Sequence, residues 1–118
     1  MIKLLFLATM SLGLSESIER RLPEDPGMIY TVGFPYNGVK VGLAWQDRAL
    51  LPSHICLKSA PDQRPACQAA AASWLHAECG YYNAKKRLTK PQKDMRKAVC
   101  QGAKAMDELL ENQQVARR

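Results

Sequence analysis

Two helical patterns in the second half of the chain constrain its fold more than any other feature. In each pattern, apolar residues recur at steps of three and four, which places them on one helical face. The first pattern comprises Cys67, Ala70, Ala71, Trp74, Leu75, Cys79 and Tyr82. The second comprises Met95, Val99, Ala103, Met106, Leu109 and Leu110, with Cys100 at its margin. The sequence therefore predicts a mainly α fold, with an antiparallel helical hairpin over 62–114.

Capping signals mark where these helices begin. Asp62 is the predicted N-cap of the first helix, and Pro65 lies in its first turn, where no N–H is needed. We expect this helix to end near Lys86. Thr89 and Gln92 form a capping box at the start of the second helix, in which each residue bonds the backbone N–H of the other.

A different pattern, rich in β-branched and aromatic residues, covers 28–45. Asn37 and Gly38 stand between two apolar runs, and both tolerate the positive φ of a tight hairpin turn. Apolar residues then alternate with small or polar ones up to Trp45, with the period of two of a strand. We predict a small N-terminal β-hairpin over 28–45 whose apolar face covers the helices. Connecting chain follows over 46–61.

The first residues have the layout of a secretory signal peptide. A basic start precedes an apolar run over 4–14, and Gly13 and Ser15 are the small residues that signal peptidase inspects. The run is too short to span a bilayer, which takes roughly 20 apolar residues. We predict that residues 1–15 are removed on export, that 16–27 form a flexible arm, and that the protein is periplasmic or secreted. The alternative is an amphipathic or buried N-terminal helix.

Length and composition limit the remainder to one small domain, which we place at 28–118. A chain of 118 residues holds one domain at most. Its 47% hydrophobic and 24% charged residues exclude disorder of the whole chain. The formal net charge of +6 favours an acidic partner, a membrane surface or nucleic acid.

Four cysteines in so short an exported chain predict two disulfides. Cys67 and Cys79 cannot be joined, because twelve residues of continuous helix separate them by about 18 Å. A disulfide requires Cα atoms about 4.4–6.8 Å apart. In an antiparallel hairpin, Cys79 falls about one turn from Cys100. We therefore predict the pairs Cys79–Cys100 and Cys56–Cys67.

Metal binding is the alternative use of these cysteines. His54 lies two residues before Cys56, and His76 lies three before Cys79, and Cys and His at such spacings can hold zinc. The spacings match neither a CxxC nor an HxxxH arrangement, and export favours oxidation of the thiols. We therefore expect no metal and no other cofactor, with His54 in a loop and His76 on the surface.

Basic residues cluster at the turn between the predicted helices and on the second helix. They are Lys85, Lys86, Arg87, Lys90, Lys93, Arg96 and Lys97. The functional interpretation is an electrostatic contact with an acidic protein face, anionic lipid head groups or DNA, and the alternative is a solvated face. Tyr81 lies beside the cluster and off the core stripe, so we expect it to be an exposed contact. No aromatic residues are interleaved with these charges, which disfavours a nucleic-acid partner.

The sequence contains no motif of a common catalytic site. It has no Gly-rich phosphate loop and no GxSxG elbow, and a disulfide-bonded cysteine cannot act as a nucleophile. Glu78 could be the general acid of a cell-wall hydrolase, but it has no obvious partner carboxylate, and the chain has little length to build a cleft. We expect Glu78 to be a solvated helix residue and the protein not to be an enzyme.

Three short segments carry the arrangement of a known family. They are Cys56-Leu57-Lys58-Ser59, Arg64-Pro65-Ala66-Cys67 and Met95-Arg96-Lys97-Ala98-Val99-Cys100. Over roughly 56–100 the chain resembles the TrbM/KikA group of conjugal transfer proteins, which are small and exported and have these cysteine-containing elements. The resemblance implies a periplasmic accessory protein encoded with a plasmid's type IV secretion genes. Some members of the group are associated with harm to the host cell, and no catalytic residue carries over.

Three hypotheses of function follow. The first is a periplasmic interaction protein that assists conjugal transfer by contacting an envelope or secretion-system protein, or an anionic membrane surface. The second is a periplasmic inhibitor or immunity protein against a toxin or a lysozyme-like enzyme, with the loop of the 30–45 hairpin as the inserting element. The third is a small cell-wall hydrolase that uses Glu78. We expect the first.

Overall fold

The computed structural model describes residues 27–116, so the predicted signal peptide and almost all of the predicted arm lie outside the described residues. Three antiparallel strands come first: β1 (Ile29–Tyr36), β2 (Val39–Gln46) and β3 (Ala49–Leu50). A 3-10 turn and two helices follow: Pro52–His54, α1 (Arg64–Asn83) and α2 (Lys90–Ala116). Two helices and a small antiparallel sheet, joined by two disulfides, therefore make up the described chain.

The predicted hairpin forms over β1 and β2, and its turn has the predicted chemistry. Asn37 and Gly38 both have positive φ, 51° and 76°, which is the type I′ conformation that matches the twist of the two strands. The register pairs Tyr36 with Val39 beside the turn and continues without a break to Ile29 and Gln46.

A third strand was not predicted from the sequence. β3 pairs antiparallel with the end of β2, so the sheet order is β1-β2-β3. The turn before it is formed by Asp47 and Arg48, which have φ of 51° and 64°. A strand of two residues carries no alternating pattern, and Asp-Arg is not a recognised hairpin turn, so the segment resembled connecting chain.

One core joins the sheet to both helices. Phe34, Val41, Leu43 and Trp45 lie on one face of the sheet and are buried there, as predicted for the apolar face of the hairpin. The ring of Phe34 packs against that of Trp74 in α1, with 5.1 Å between the ring centroids.

The buried face of α1 is wider than the predicted stripe. The predicted residues are buried, except that Cys79 is half-buried. Gln68, Ala72 and Glu78 are buried as well, and the prediction of a solvated Glu78 is wrong, because only 4% of it is exposed. The reason is that α1 contacts the sheet on one side and α2 on another, so that residues flanking the stripe are also covered.

The second stripe is buried in its first part. Its members Met95, Val99, Ala103 and Met106 are buried in α2, joined by Ala98 and Gly102, which were not predicted. Leu109 and Leu110 are half-buried at the margin of the core.

The capping box of α2 forms as predicted. The backbone N–H of Thr89 donates to Gln92 Oε1 at 2.9 Å, and the N–H of Gln92 donates to Thr89 Oγ1 at 3.3 Å. The prediction that Asp62 caps α1 is wrong. The N-cap is Gln63, without a side-chain cap bond, because the preceding turn directs the Gln63 and Arg64 N–H groups to the Ala60 carbonyl.

The end of α1 was predicted three residues too late. The helix ends at Asn83 rather than near Lys86. The Lys85 N–H bonds the Tyr82 carbonyl, which tightens the last turn before the chain leaves the helix.

Both predicted disulfides are confirmed. Cys56 is joined to Cys67 with 5.9 Å between their Cα atoms, and Cys79 to Cys100 with 4.9 Å. The exclusion of a Cys67–Cys79 bond also holds, because α1 is continuous across both residues.

Substitution by alanine is expected to have opposite effects on stability at the two glycines inside the helices. Gly80 is exposed and a Cβ there would have no atom within 4 Å, so Gly80→Ala should raise the free energy of unfolding by about 0.5–1 kcal/mol through helix propensity. A Cβ at buried Gly102 would lie 2.5 Å from Leu50 Cδ1, so overpacking of about 1–3 kcal/mol should outweigh the same propensity gain. Urea unfolding of both variants measures whether each substitution raises or lowers the free energy of unfolding. Stabilisation by Gly102→Ala would show that the Leu50 side chain turns away from α2 at little cost.

Removal of the disulfide between the helices should cost a large share of the stability. The bond closes a loop of 21 residues, for which the loss of chain entropy predicts about 3 kcal/mol. Guanidinium unfolding of the Cys79→Ser, Cys100→Ser double variant against the oxidised wild type measures this difference. A midpoint equal to that of the wild type would show that packing alone holds α2 on α1.

Candidate functional site

The predicted basic cluster occupies the connection between α1 and α2 and the first turns of α2. We define the basic surface by its exposed members Lys86, Arg87, Lys90, Lys93, Arg96 and Lys97. Including Lys85 and Lys104, the stretch from 84 to 104 contains eight basic residues and one acidic residue, Asp94. The surface is therefore strongly positive over about a fifth of the described chain.

Lys85 and Tyr81 stand apart from the rest of the cluster. Lys85 Nζ lies 4.9 Å from the centroid of the Tyr81 ring, and that ring packs edge-on against buried Tyr82 at 5.1 Å. Both Lys85 and Tyr81 are half-buried, so the expectation that Tyr81 is exposed is wrong. A cation over an aromatic face is a stabilising contact. This contact within the chain explains the position of Lys85, so no external binding partner is needed to explain it.

Four lysines follow one side of α2. Lys90, Lys93, Lys97 and Lys104 recur at steps of three, four and seven, on the side opposite the buried Met95–Met106 face. Lys90 forms an ion pair with Asp94 at 3.3 Å, and this pair is exposed and contributes little.

The charges of α2 run against its dipole. The N-terminal end of a helix favours negative charge and the C-terminal end favours positive charge, by about 0.3–1 kcal/mol for each charge at low ionic strength. In α2, Lys90 lies in the first turn and Lys93 directly after it, no acidic residue is in the first turn, and Glu108 and Glu111 lie toward the other end. This arrangement lowers the stability of the helix, so folding does not explain it.

Reversing one of these charges should therefore stabilise the protein. Lys93→Glu would place a negative charge near the start of α2, three residues after Lys90 and four before Lys97, where i,i+4 Glu–Lys pairs are favourable. We expect the free energy of unfolding to rise by about 0.5 kcal/mol at low ionic strength, with the gain reduced at high salt. Urea unfolding at the two salt concentrations measures it. A loss of stability would show that Lys93 has a structural role.

A groove of about 660 Å³ lies between the β-hairpin and the segment that leads into α1. One wall is formed by β1 and β2, and the other by 54–67, with the Cys56–Cys67 disulfide in its lining. Lys40 and Lys58 are the charged side chains in the lining, which contains no aspartate or glutamate. Sequence reasoning missed this groove, because the separate patterns of 31–43 and 54–67 do not indicate that these two segments face each other.

Two contacts fix the second wall. The disulfide ties Cys56 to the first turn of α1. Arg64 Nη2 donates to the carbonyls of Leu57 and Ser59, at 3.4 and 3.3 Å. Residues 57–59 are therefore held in place by the disulfide at the preceding residue and by the hydrogen bonds from Arg64.

The histidines and Glu78 are not brought together. His76 is on the surface, as expected, with Nε2 2.8 Å from Asp107 Oδ2 on α2, while His54 ends the 3-10 turn and its Nδ1 lies 3.1 Å from Ser53 Oγ. Glu78 is buried in α1 and does not line the groove. Within 27–116, no group of three or more His, Cys, Asp or Glu side chains is placed to hold a metal ion.

Comparisons with known proteins add no relative. No family model, no curated protein and no solved structure matches the chain. Over the described residues, neither helix has the length and apolar character needed to cross a bilayer.

Proposed function

We propose that this chain is an exported interaction protein of the cell envelope that assists a plasmid conjugal transfer (type IV secretion) apparatus. The observation that carries the proposal is the pair of disulfides. Every cysteine of the chain is disulfide-bonded, which is consistent with an oxidising compartment such as the periplasm. An antiparallel helical hairpin closed by Cys79–Cys100 would give such a protein a rigid frame.

The basic surface supports a binding role. Its charges oppose the dipole of α2, and selection for stability alone would remove such an arrangement rather than keep it. Positive potential over a convex surface speeds encounter with an acidic partner and favours it over neutral ones. An acidic face of an envelope or secretion-system protein fits this surface, and an anionic membrane surface is the other anionic partner.

The setting in conjugal transfer comes from the resemblance of 56–100 to the TrbM/KikA group. One of the two disulfides, Cys56–Cys67, joins two of the elements that carry the resemblance, while Cys79 lies outside them. An effect on the viability of the host cell is part of the same proposal.

The alternative of an inhibitor or immunity protein receives less support. Its inserting element would be the turn of the β-hairpin, where only Asn37 and Gly38 stand beyond the strands. Tyr36 and Val39 on either side are packed against the core. A two-residue turn presents little surface to an active-site cleft, since specific complexes bury about 800 Å² on each partner.

Capture from envelope extracts tests the proposal. The tagged mature chain should retain an envelope protein from cells that carry a conjugative plasmid and not from plasmid-free cells of the same strain. The Lys90→Glu, Lys93→Glu, Lys97→Glu variant should lose that protein, because the surface charge is reversed while Lys93→Glu alone favours folding.

A matched control is Arg48→Glu, which reverses an exposed charge on the turn between β2 and β3. It should retain the protein as the wild type does. The proposal fails if no envelope protein is retained from either strain, or if thiol alkylation in intact cells finds all four cysteines reduced.

A further inference from the structure

Two glycines face each other in the interior of the β-hairpin. Gly33 of β1 is paired with Gly42 of β2, four residues from the turn on each strand. Their neighbours Phe34, Val41 and Leu43 point into the core, so the glycines lie on the opposite face of the sheet. Glycine weakens a strand because it has no side chain to pack and loses more backbone entropy on folding.

The fold itself does not require glycine at either position. Neither residue has positive φ. A Cβ at Gly33 would lie 3.8 Å from Lys40 Cε, and one at Gly42 would lie 4.0 Å from the Cys56 nitrogen, both ordinary contacts. The pair therefore weakens the hairpin without a steric reason within the chain.

Both glycines line the groove beside 54–67. Without side chains, they leave bare backbone as its floor. A glycine inside a strand often marks a place where a ligand or another backbone approaches closely. The groove is thus open because of residues that the fold does not need.

The edge of β2 that faces this groove is only partly paired. Tyr36 and Val39 flank a two-residue turn and form a hydrogen-bonded pair, so Lys40, Gly42 and Ala44 direct their backbone groups away from β1. The Ala44 carbonyl accepts the Leu51 N–H at 2.9 Å, and the Gly42 carbonyl accepts the Cys56 N–H at 3.0 Å.

Nearer the turn this pairing stops. Among the residues from 27 to 116, no backbone group bonds the N–H or carbonyl of Lys40 from this side, or the N–H of Gly42. An extended peptide supplies the alternating donors and acceptors that such an open edge lacks.

The charge and the rim of the groove indicate which side chains such a peptide would carry. Lys40 and Lys58 are positive, and the lining contains no carboxylate to neutralise them. Leu57, also in the lining, is 56% exposed. The complement is a segment with an acidic side chain and an apolar one.

The second wall is already in place before any ligand arrives. The disulfide and the Arg64 bonds hold 56–59, and Cys56 itself has φ of 64°, a strained conformation for a residue other than glycine. Preorganisation of this kind lowers the entropy lost on binding.

We propose that this groove docks an extended acidic segment of a partner protein, which crosses the bare backbone at Gly33 and Gly42 and bonds the unpaired backbone groups of Lys40 and Gly42. The inference rests on the proposed function in one respect, namely that the chain acts by binding another protein. It adds a second contact, on a surface distinct from the basic surface on α2, and retention of the partner requires both contacts.

Amide chemical shifts of the 15N-labelled oxidised chain provide the test. The probes are hexapeptide libraries with one position fixed as Asp or Glu, and matched libraries with that position fixed as Lys or Arg. The acidic libraries should shift the amides of Lys40, Gly42 and residues 57–59, and the basic libraries should not. The proposal is overturned if neither library shifts them, if both shift them equally, or if the shifts fall on Ile29 at the outer edge of β1, outside the groove.

Alanine substitution at the two glycines tests the role of the groove in binding separately from its role in the fold. The Gly33→Ala, Gly42→Ala variant should keep both disulfides and the wild-type circular dichroism while its affinity for the acidic library falls about ten-fold. Gly80→Ala makes the same chemical change on α1, outside the groove, and should bind as the wild type does. Equal binding by all three proteins would overturn the proposal, and Lys58→Glu gives a second variant if the double alanine chain does not fold.

Failure of this inference is distinguishable from failure of the proposed function. If envelope protein is still captured by the Gly33→Ala, Gly42→Ala variant, the groove is not the contact and the proposed function stands. If soluble peptidoglycan fragments, and not peptides, shift Lys40 and Gly42, the occupant is a glycan and the inference is wrong.

Discussion

The bond between Cys56 and Cys67 joins two parts of the chain that share no secondary structure, and both the core and the groove depend on it. The segment before α1 has one 3-10 turn and two backbone bonds to β2, from Leu51 and Cys56. Ile55 and Cys56 are nevertheless buried in the core. So few contacts do not fix a segment of this length, and the covalent link to α1 supplies the remainder, with about 3 kcal/mol expected for a loop of 11 residues.

The second disulfide explains how the chain tolerates its charges. Lys90 and Lys93, at the start of α2, are unfavourable by a few tenths to about 1 kcal/mol each, and salt screens part of that. The Cys79–Cys100 bond and the buried residues Met95, Val99 and Met106 hold the helix in place with a larger total. Because the frame is covalently closed, the outer face of α2 is free to carry charges placed for a reason other than stability.

Local chemistry was predictable from the sequence. Asn37-Gly38 defines its turn, Thr89 and Gln92 form their capping box, and the exclusion of a Cys67–Cys79 disulfide follows from the length of the helix between them. Each of these depends on residues within one element or on a distance that helical geometry fixes.

Features that depend on how elements meet were not predictable in the same way. Glu78 is buried because the sheet and α2 cover α1 from two sides, and a pattern read along one helix assigns it to solvent. β3 forms because β2 is already present to pair with it. The groove has the same origin, since its walls become neighbours only when the segment before α1 is tied back onto the hairpin.

Among the small residues on the outer face of β2, packing explains one and does not explain another. Ala44 is fully buried beside the chain that passes from Leu51 to Cys56, which bonds β2 at Ala44 and Gly42, so burial limits the size of its side chain. Gly42, two residues nearer the turn, is half-exposed and has room for a Cβ, and so has its cross-strand partner Gly33. Steric pressure therefore accounts for alanine at one position and does not account for glycine at the other two. Since β-branched residues would strengthen the hairpin at such positions, the two glycines are consistent with the proposed approach of a partner's backbone.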